Sequence, residues 1–176
     1  DLFPILRVGG IVVRPPWREH VAAPDEVVIT IDPGQAFGTG LHPTTRLALE
    51  GLSRWGSSGY FRAALQRDKD TAFGLTDVGT GSGILLAAAF ALGLSRGVGI
   101  DIDPVAVDAA RNNLAANGWA ARAALAVGSL PSPHGATPLV VANLVAALHV
   151  ALAPELAATV APNGRLLASE IGSAHV

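Results

Sequence analysis

From Gly74 onward, short apolar runs alternate with longer segments whose apolar residues recur at helical spacing. "GLTDVG" (74–79), "GVGIDI" (97–102), "AALAVGS" (123–129), "LVVANL" (139–144) and "GRLLASEI" (164–171) read as strands. "GILLAAAFALGL" (83–94), closed by Gly93 or Gly97, and "PVAVDAARNNLAANG" (104–118) read as helices. The second has Asp103 as N-cap, Pro104 in the first turn and Gly118 past the end. "VAALHVALAPELAATVA" (145–161) is helical and broken near Pro154. Strands alternating with helices at this spacing predict a parallel sheet with right-handed crossovers. The all-apolar "LVVA" fits a sheet covered on both faces.

Before Gly74 the pattern is looser. "GGIVV" and "EVVITI" predict two short strands joined by a turn, with Pro15 and Pro16 excluding a helix between them. "TTRLALEGLSR" (44–54) carries Leu47, Leu49 and Leu52 at roughly helical spacing, with Thr44 or Thr45 as its natural start. Residues 55–73 read as a surface connection with a short helix at Tyr60–Gln66. Residues 1–32 are taken as an N-terminal strand and linker region, and 33–176 as the ligand-binding core.

Composition narrows the classes. The 176 residues suffice for one α/β domain, and half of them are hydrophobic. Net charge is −2, with a single Lys69 against eleven arginines and no basic stripe, so direct nucleic-acid binding is not expected. The absence of cysteine removes disulfides and thiol nucleophiles. The longest apolar stretch, Leu139–Ala153, is interrupted by Asn143 and His149 and too short to span a bilayer. With no secretory signal at the start, a cytoplasmic protein is the expectation. The lack of any methionine and the strand-like final residues suggest a piece of a longer protein.

The chemistry lies in the loops. "DVGTGSG" (77–83) follows the first strand of the regular region and opens its first helix, where glycines let backbone N–H groups approach a ligand. A dinucleotide fingerprint is G-x-G-x-x-G. Gly79 and Gly81 satisfy it, but Ile84 stands where its third glycine belongs. The strand end "GIDIDP" offers Asp101 and Asp103, about 20 residues beyond the glycine loop, where a carboxylate holds a ribose. Asp103 is committed as a helix cap, which leaves Asp101 as the ribose ligand. Ser129, or the backbone around it, can meet a base beside the third strand, although an ordinary turn explains "GSL" equally well. Asn143, at the mouth of the apolar fourth strand, offers amide donors and an acceptor to cofactor or substrate. No His/Cys cluster implies a metal.

"DVGTGSG", "GIDIDP" and a polar residue after the fourth strand together resemble a class I S-adenosylmethionine-dependent methyltransferase. The upstream "PGQAFGTGLHPTT" and the later "VANLVAALH" make the chain similar to the bacterial ribosomal protein L11 methyltransferase family over roughly Pro33–Ile171. The resemblance implies a Rossmann-like core that binds S-adenosyl-L-methionine and methylates amine nitrogens (a lysine or the N-terminus) of a large-subunit ribosomal protein. It implies that Thr45 and Gly79 contact the cofactor, that Phe37 packs over it, and that Asn143 lies nearest its methionine end. The role of His42, which matches a family histidine, stays open; His20, His134, His149 and His175 have no partner that the sequence identifies.

The resemblance also implies departures. "SSGYFRAALQRDKD" lengthens the family's usual connection, the family's small N-terminal substrate-recruiting domain is not among these residues unless it lay before Asp1, and a final antiparallel strand pair would follow Ile171. Without that pair the last strand is an open edge, which predicts a segment less stable than its parent. Rival readings are a class I methyltransferase with another acceptor, a nicotinamide oxidoreductase, which Ile84 argues against, and a binding domain without turnover.

Overall fold

A computed structural model describes residues 3–34, 42–67 and 73–171. Its first element is a three-stranded sheet of β1 (Leu6–Val8), β2 (Ile11–Arg14) and β3 (Val27–Thr30), in that order. Two strands were expected here. The third, β1, is three residues long, too short for its alternation of buried Leu6 and Val8 with exposed Arg7 to declare it in sequence. Gly9 and Gly10, at φ 52° and 81°, make the two-residue turn from β1 to β2, where positive φ at both positions suits an antiparallel hairpin. β2 and β3 pair in parallel, so residues 15–26 carry the chain back along the sheet instead of turning tightly.

Helix α1 (Pro43–Ser57) follows. Its N-cap is His42, not Thr44 or Thr45: the His42 Nδ1 accepts the Thr44 N–H at 3.3 Å, and Pro43 takes the first helical position. The two threonines fall inside the first turn and are buried there. α2 (Tyr60–Arg67) realises the expected short helix.

The large sheet comprises β4 (Leu75–Val78), β5 (Gly97–Asp101), β6 (Ala123–Val127), β7 (Thr137–Val145) and β8 (Val160–Ile171), in the order β6-β5-β4-β7-β8 with every neighbour parallel. The chain winds outward from β4 through β5 to β6 and then crosses to β7 on the other side. The topological switch point therefore lies between β4 and β7, where open α/β sheets bind ligands. β8 begins earlier than expected, pairing Val160 with Thr137; the register then shifts around Asn163, at φ 61°, before regular pairing resumes at Arg165.

Helices α3 (Ile84–Ala91), α4 (Pro104–Ala116), α5 (Ala146–Ala151) and α6 (Ala153–Thr159) complete the fold. Asp103 caps α4 by accepting the Val105 N–H at 2.9 Å, and Gly118 sits past its end at φ 78°. α3 is buried on every face from Ile84 to Phe90. It packs against β3, α1, α4 and β5, so its all-apolar sequence is required by neighbours on all sides. One apolar cluster runs from Ile11 and Ile29 of the small sheet through Leu49, Leu52 and Leu86 to Leu75 of the large one.

Two asparagines of α4 join distant segments. Asn113, buried, donates from Nδ2 to the Ser82 carbonyl at 2.8 Å and accepts the Asp32 N–H at 2.9 Å. Asn117 exchanges two bonds with the Thr30 backbone, at 2.9 and 2.7 Å. Replacing Asn113 by Ala removes both bonds of a buried amide and leaves a cavity in its place, so Asn113→Ala is expected to cost about 2–4 kcal/mol of unfolding free energy in urea titrations. Asn117→Ala supplies the milder comparison, because the Asn117 side chain itself is only part-buried.

Candidate functional site

The strand ends at the switch point build one cavity of about 430 Å³. β4 delivers the glycine loop. Gly79, Gly81 and Gly83 adopt φ of 73°, 53° and 78°, a region that L side chains rarely occupy. A Cβ on Gly79 would lie 2.6 Å from Leu144 Cδ2, and one on Gly83 would lie 3.0 Å from Ala110 Cβ. Gly79 thus makes room for the Leu144 side chain in the cavity wall, and Gly83 lets α3 approach α4. Gly83 takes up, one position earlier, the close-packing role that the dinucleotide fingerprint gives to its third glycine.

The loop is braced from β5. The Gly79 and Thr80 N–H groups both donate to the Ile100 carbonyl, at 2.8 and 3.0 Å. The Gly81 N–H donates to Asp101 Oδ2 at 2.9 Å, and the Asp103 N–H to Asp101 Oδ1 at 3.0 Å. Asp101 therefore holds the glycine loop in shape as well as lining the cavity.

Asp77, the last acid of β4, is fully buried beneath the loop. Its Oδ2 accepts the Thr80 hydroxyl at 2.8 Å, whereas Oδ1 is buried without a hydrogen-bond partner. Desolvation pushes its pKa up to about 7; the Thr80 bond opposes the shift and the negative charge of Asp101 adds to it. The sequence shows this acid inside an apolar strand, but its isolation arises only from the flanking strands β5 and β7.

On the other side of the cavity, Asn143 stands half-buried near the end of β7. Its Nδ2 donates to Thr45 Oγ1 of α1 at 3.2 Å, and its Oδ1 accepts the Ser169 hydroxyl of β8 at 3.0 Å. Thr45, Gly79, Gly81, Asp101, Ser129 and Asn143, named separately from the sequence, all line the same cavity. Phe37 lies outside the described residues. Sequence reasoning missed the apolar wall of Ile102, Leu144, Val145 and Leu148, whose side chains look like ordinary strand and helix residues until the switch point groups them.

The histidines without assigned partners acquire them, apart from His175, which lies outside the described residues. His20 pairs with Glu26 at 2.7 Å, His134 meets the Phe73 ring edge-on, and His149 Nε2 donates to the Ser169 carbonyl at 3.0 Å. Among the described residues no group of three or more His, Cys, Asp or Glu side chains is arranged to hold a metal ion. No helix there is long and apolar enough to cross a membrane.

A parallel sheet with a glycine loop after β4, an acid at the end of β5 and a polar side chain at the end of β7, all facing one crevice, has the class I S-adenosylmethionine-dependent methyltransferase fold. The crystal structure of the ribosomal protein L11 methylase from Lactobacillus delbrueckii subsp. bulgaricus superposes with a TM-score of 0.72 at 32% identity, over 90% of this chain and 75% of that one. An RNA methyltransferase from Salinibacter ruber, solved in complex with S-adenosyl-L-homocysteine, superposes with a TM-score of 0.50 at 29% identity, over 62% of this chain and 72% of that one. The ribosomal protein L11 methyltransferase family profile matches residues 1–174, and the chain belongs to that family. The ribosomal protein L11 methyltransferase of Geobacter metallireducens is 45% identical over 94% of this chain and 50% of its own length. That of Symbiobacterium thermophilum is 43% identical over 96% and 51%. The chain thus spans about half the length of these curated relatives.

Proposed function

We propose that this chain is the catalytic core of a cytoplasmic enzyme that binds S-adenosyl-L-methionine and transfers its methyl group to amine nitrogens of ribosomal protein L11. The observation that carries the reading is the convergence of Thr45, Gly79, Gly81, Asp101, Ser129 and Asn143 on one cavity at the switch point. The residues fit the cofactor: the cavity is of ligand size, and a Cβ at Gly79 would press on Leu144 in its wall. Asp101 would accept from the ribose hydroxyls, Gly79 and Gly81 would let the backbone close on the ligand, and Ser129 would sit beside the base. Thr45 and Asn143 would border the methionine end.

Bound there, the sulfonium supplies an already activated methyl group. The protein's part is alignment, worth orders of magnitude when reacting atoms are held in line. Asn143 Oδ1, with one acceptor position beyond Ser169, would take a hydrogen of a neutral amine and turn its lone pair toward the methyl carbon, whose bond to sulfur would break as the carbon–nitrogen bond forms, releasing the thioether. The amine gives up its extra proton to water. Mass spectrometry of L11 incubated with S-adenosylmethionine and the protein bearing this chain tests the reading: methyl increments on lysine or the N-terminus are expected, and an unmodified L11 alongside a methylated alternative acceptor would refute it.

Asp101→Ala is expected to weaken S-adenosylmethionine binding by about tenfold or more in titration calorimetry, because it removes the ribose acceptor and releases the Gly81 N–H together. Unchanged affinity would contradict the assignment.

A further inference from the structure

We propose that Ser169 is a positioning residue that fixes the orientation of the Asn143 carboxamide; the inference rests on the role given to Asn143 above. β7 and β8 pair in parallel with Asn143 opposite Ser169, so the two side chains stand together on one face of the sheet. Ser169 is 8% exposed and so has little access to solvent partners. Its hydroxyl donates its only hydrogen to Asn143 Oδ1 at 3.0 Å, while Asn143 Nδ2 donates to Thr45 Oγ1 at 3.2 Å. The amide is clamped at both ends, with one hydrogen and one acceptor position left over.

The clamp matters because the terminal torsion of asparagine is broad and roughly two-fold. Turned over, the side chain occupies nearly the same volume but presents N–H where an oxygen is needed. With Ser169 donating to Oδ1 and Thr45 accepting from Nδ2, the oxygen is held on the Ser169 side, and loss of the Ser169 hydroxyl leaves the Thr45 bond alone to restrain the torsion. Ser169 is itself anchored, since His149 Nε2, from the helix that follows β7, donates to its carbonyl at 3.0 Å. The strand that carries the serine is thus tied to the same chain segment that carries the asparagine.

The test compares the parent with Ser169→Ala, Ser169→Thr, Asn143→Ala and the Ser169→Ala/Asn143→Ala double variant. In nitrogen–proton NMR of the cofactor-free protein, Ser169→Ala is expected to shift the Asn143 side-chain amide signals and speed their exchange with water. Ser169→Thr, which keeps the hydroxyl, restores them. In methyl transfer, Ser169→Ala is expected to lower kcat about tenfold with S-adenosylmethionine affinity within about twofold, and to slow the Asn143→Ala enzyme no further. Asn143 amide signals unchanged by Ser169→Ala would overturn the proposal. So would a loss of rate that is equally large with and without Asn143. If Asn143→Ala alone keeps full turnover while Ser169→Ala still shifts the amide signals, the clamp stands and the role of Asn143 is refuted.

Discussion

The cofactor-free Asp77→Asn variant is expected to keep its stability between about pH 4 and pH 7, a range over which the parent loses it. The buried carboxyl titrates near 7 in the folded chain against an ordinary 3.8. Between those values the folded state holds a proton that the unfolded state has released. Raising the pH therefore favours unfolding by about 1.4 kcal/mol per pH unit, fully so only in the middle of the window. The penalty levels off above the folded pKa, at roughly 4 kcal/mol. Asparagine keeps an oxygen for the Thr80 hydroxyl and carries no proton to lose. Urea unfolding of both proteins at a series of pH values isolates the effect, since every other titrating group is common to the two. Parallel stability profiles would mean that Asp77 is already ionised in the folded protein at acid pH.

Asn143→Ala is expected to lower methyl transfer by about a hundredfold or more while changing S-adenosylmethionine affinity far less. On the proposed reading the amide would meet the incoming amine, whereas most of the cofactor's binding groups would come from the glycine loop and Asp101. Removing the amide also strands the Ser169 hydroxyl and removes a donor to Thr45, so Asn143→Asp is the useful companion. It preserves shape and acceptor but has no hydrogen for Thr45. Single-turnover transfer measured beside calorimetry separates alignment from binding, and near-normal turnover in Asn143→Ala would remove the residue from the reacting centre.

What the sequence disclosed and what it withheld follow from how far each interaction reaches along the chain. Gly79, Gly81, Asp101 and Asn143 were legible because each sits beside a strand end that its own neighbours announce. The elements from β4 to β8 were legible because apolar runs and helical spacing repeat there in a regular rhythm. The bonds that make those residues a site were not. Asn143 meets Thr45 across 98 positions, and Asn113 reaches Asp32 across 81. No local pattern encodes such pairings. His42 was hidden for another reason: threonine is the commoner N-cap, so "HPTT" pointed to the wrong residue until the Nδ1 bond was seen. Asp77 was visible as a letter, but its unpaired oxygen exists only once β5 and β7 close around it.

Helix α3 has no face toward water and touches both sheets, and this constrains how the molecule comes apart. A partial opening that peels the small sheet away must expose the apolar side of α3, and one that frees the large sheet exposes another. Neither leaves behind a fragment with its own sealed interior. Loss of structure is therefore expected to be concerted, with slow backbone amide hydrogen exchange shared by β3 and β5, strands of different sheets that both pack on α3.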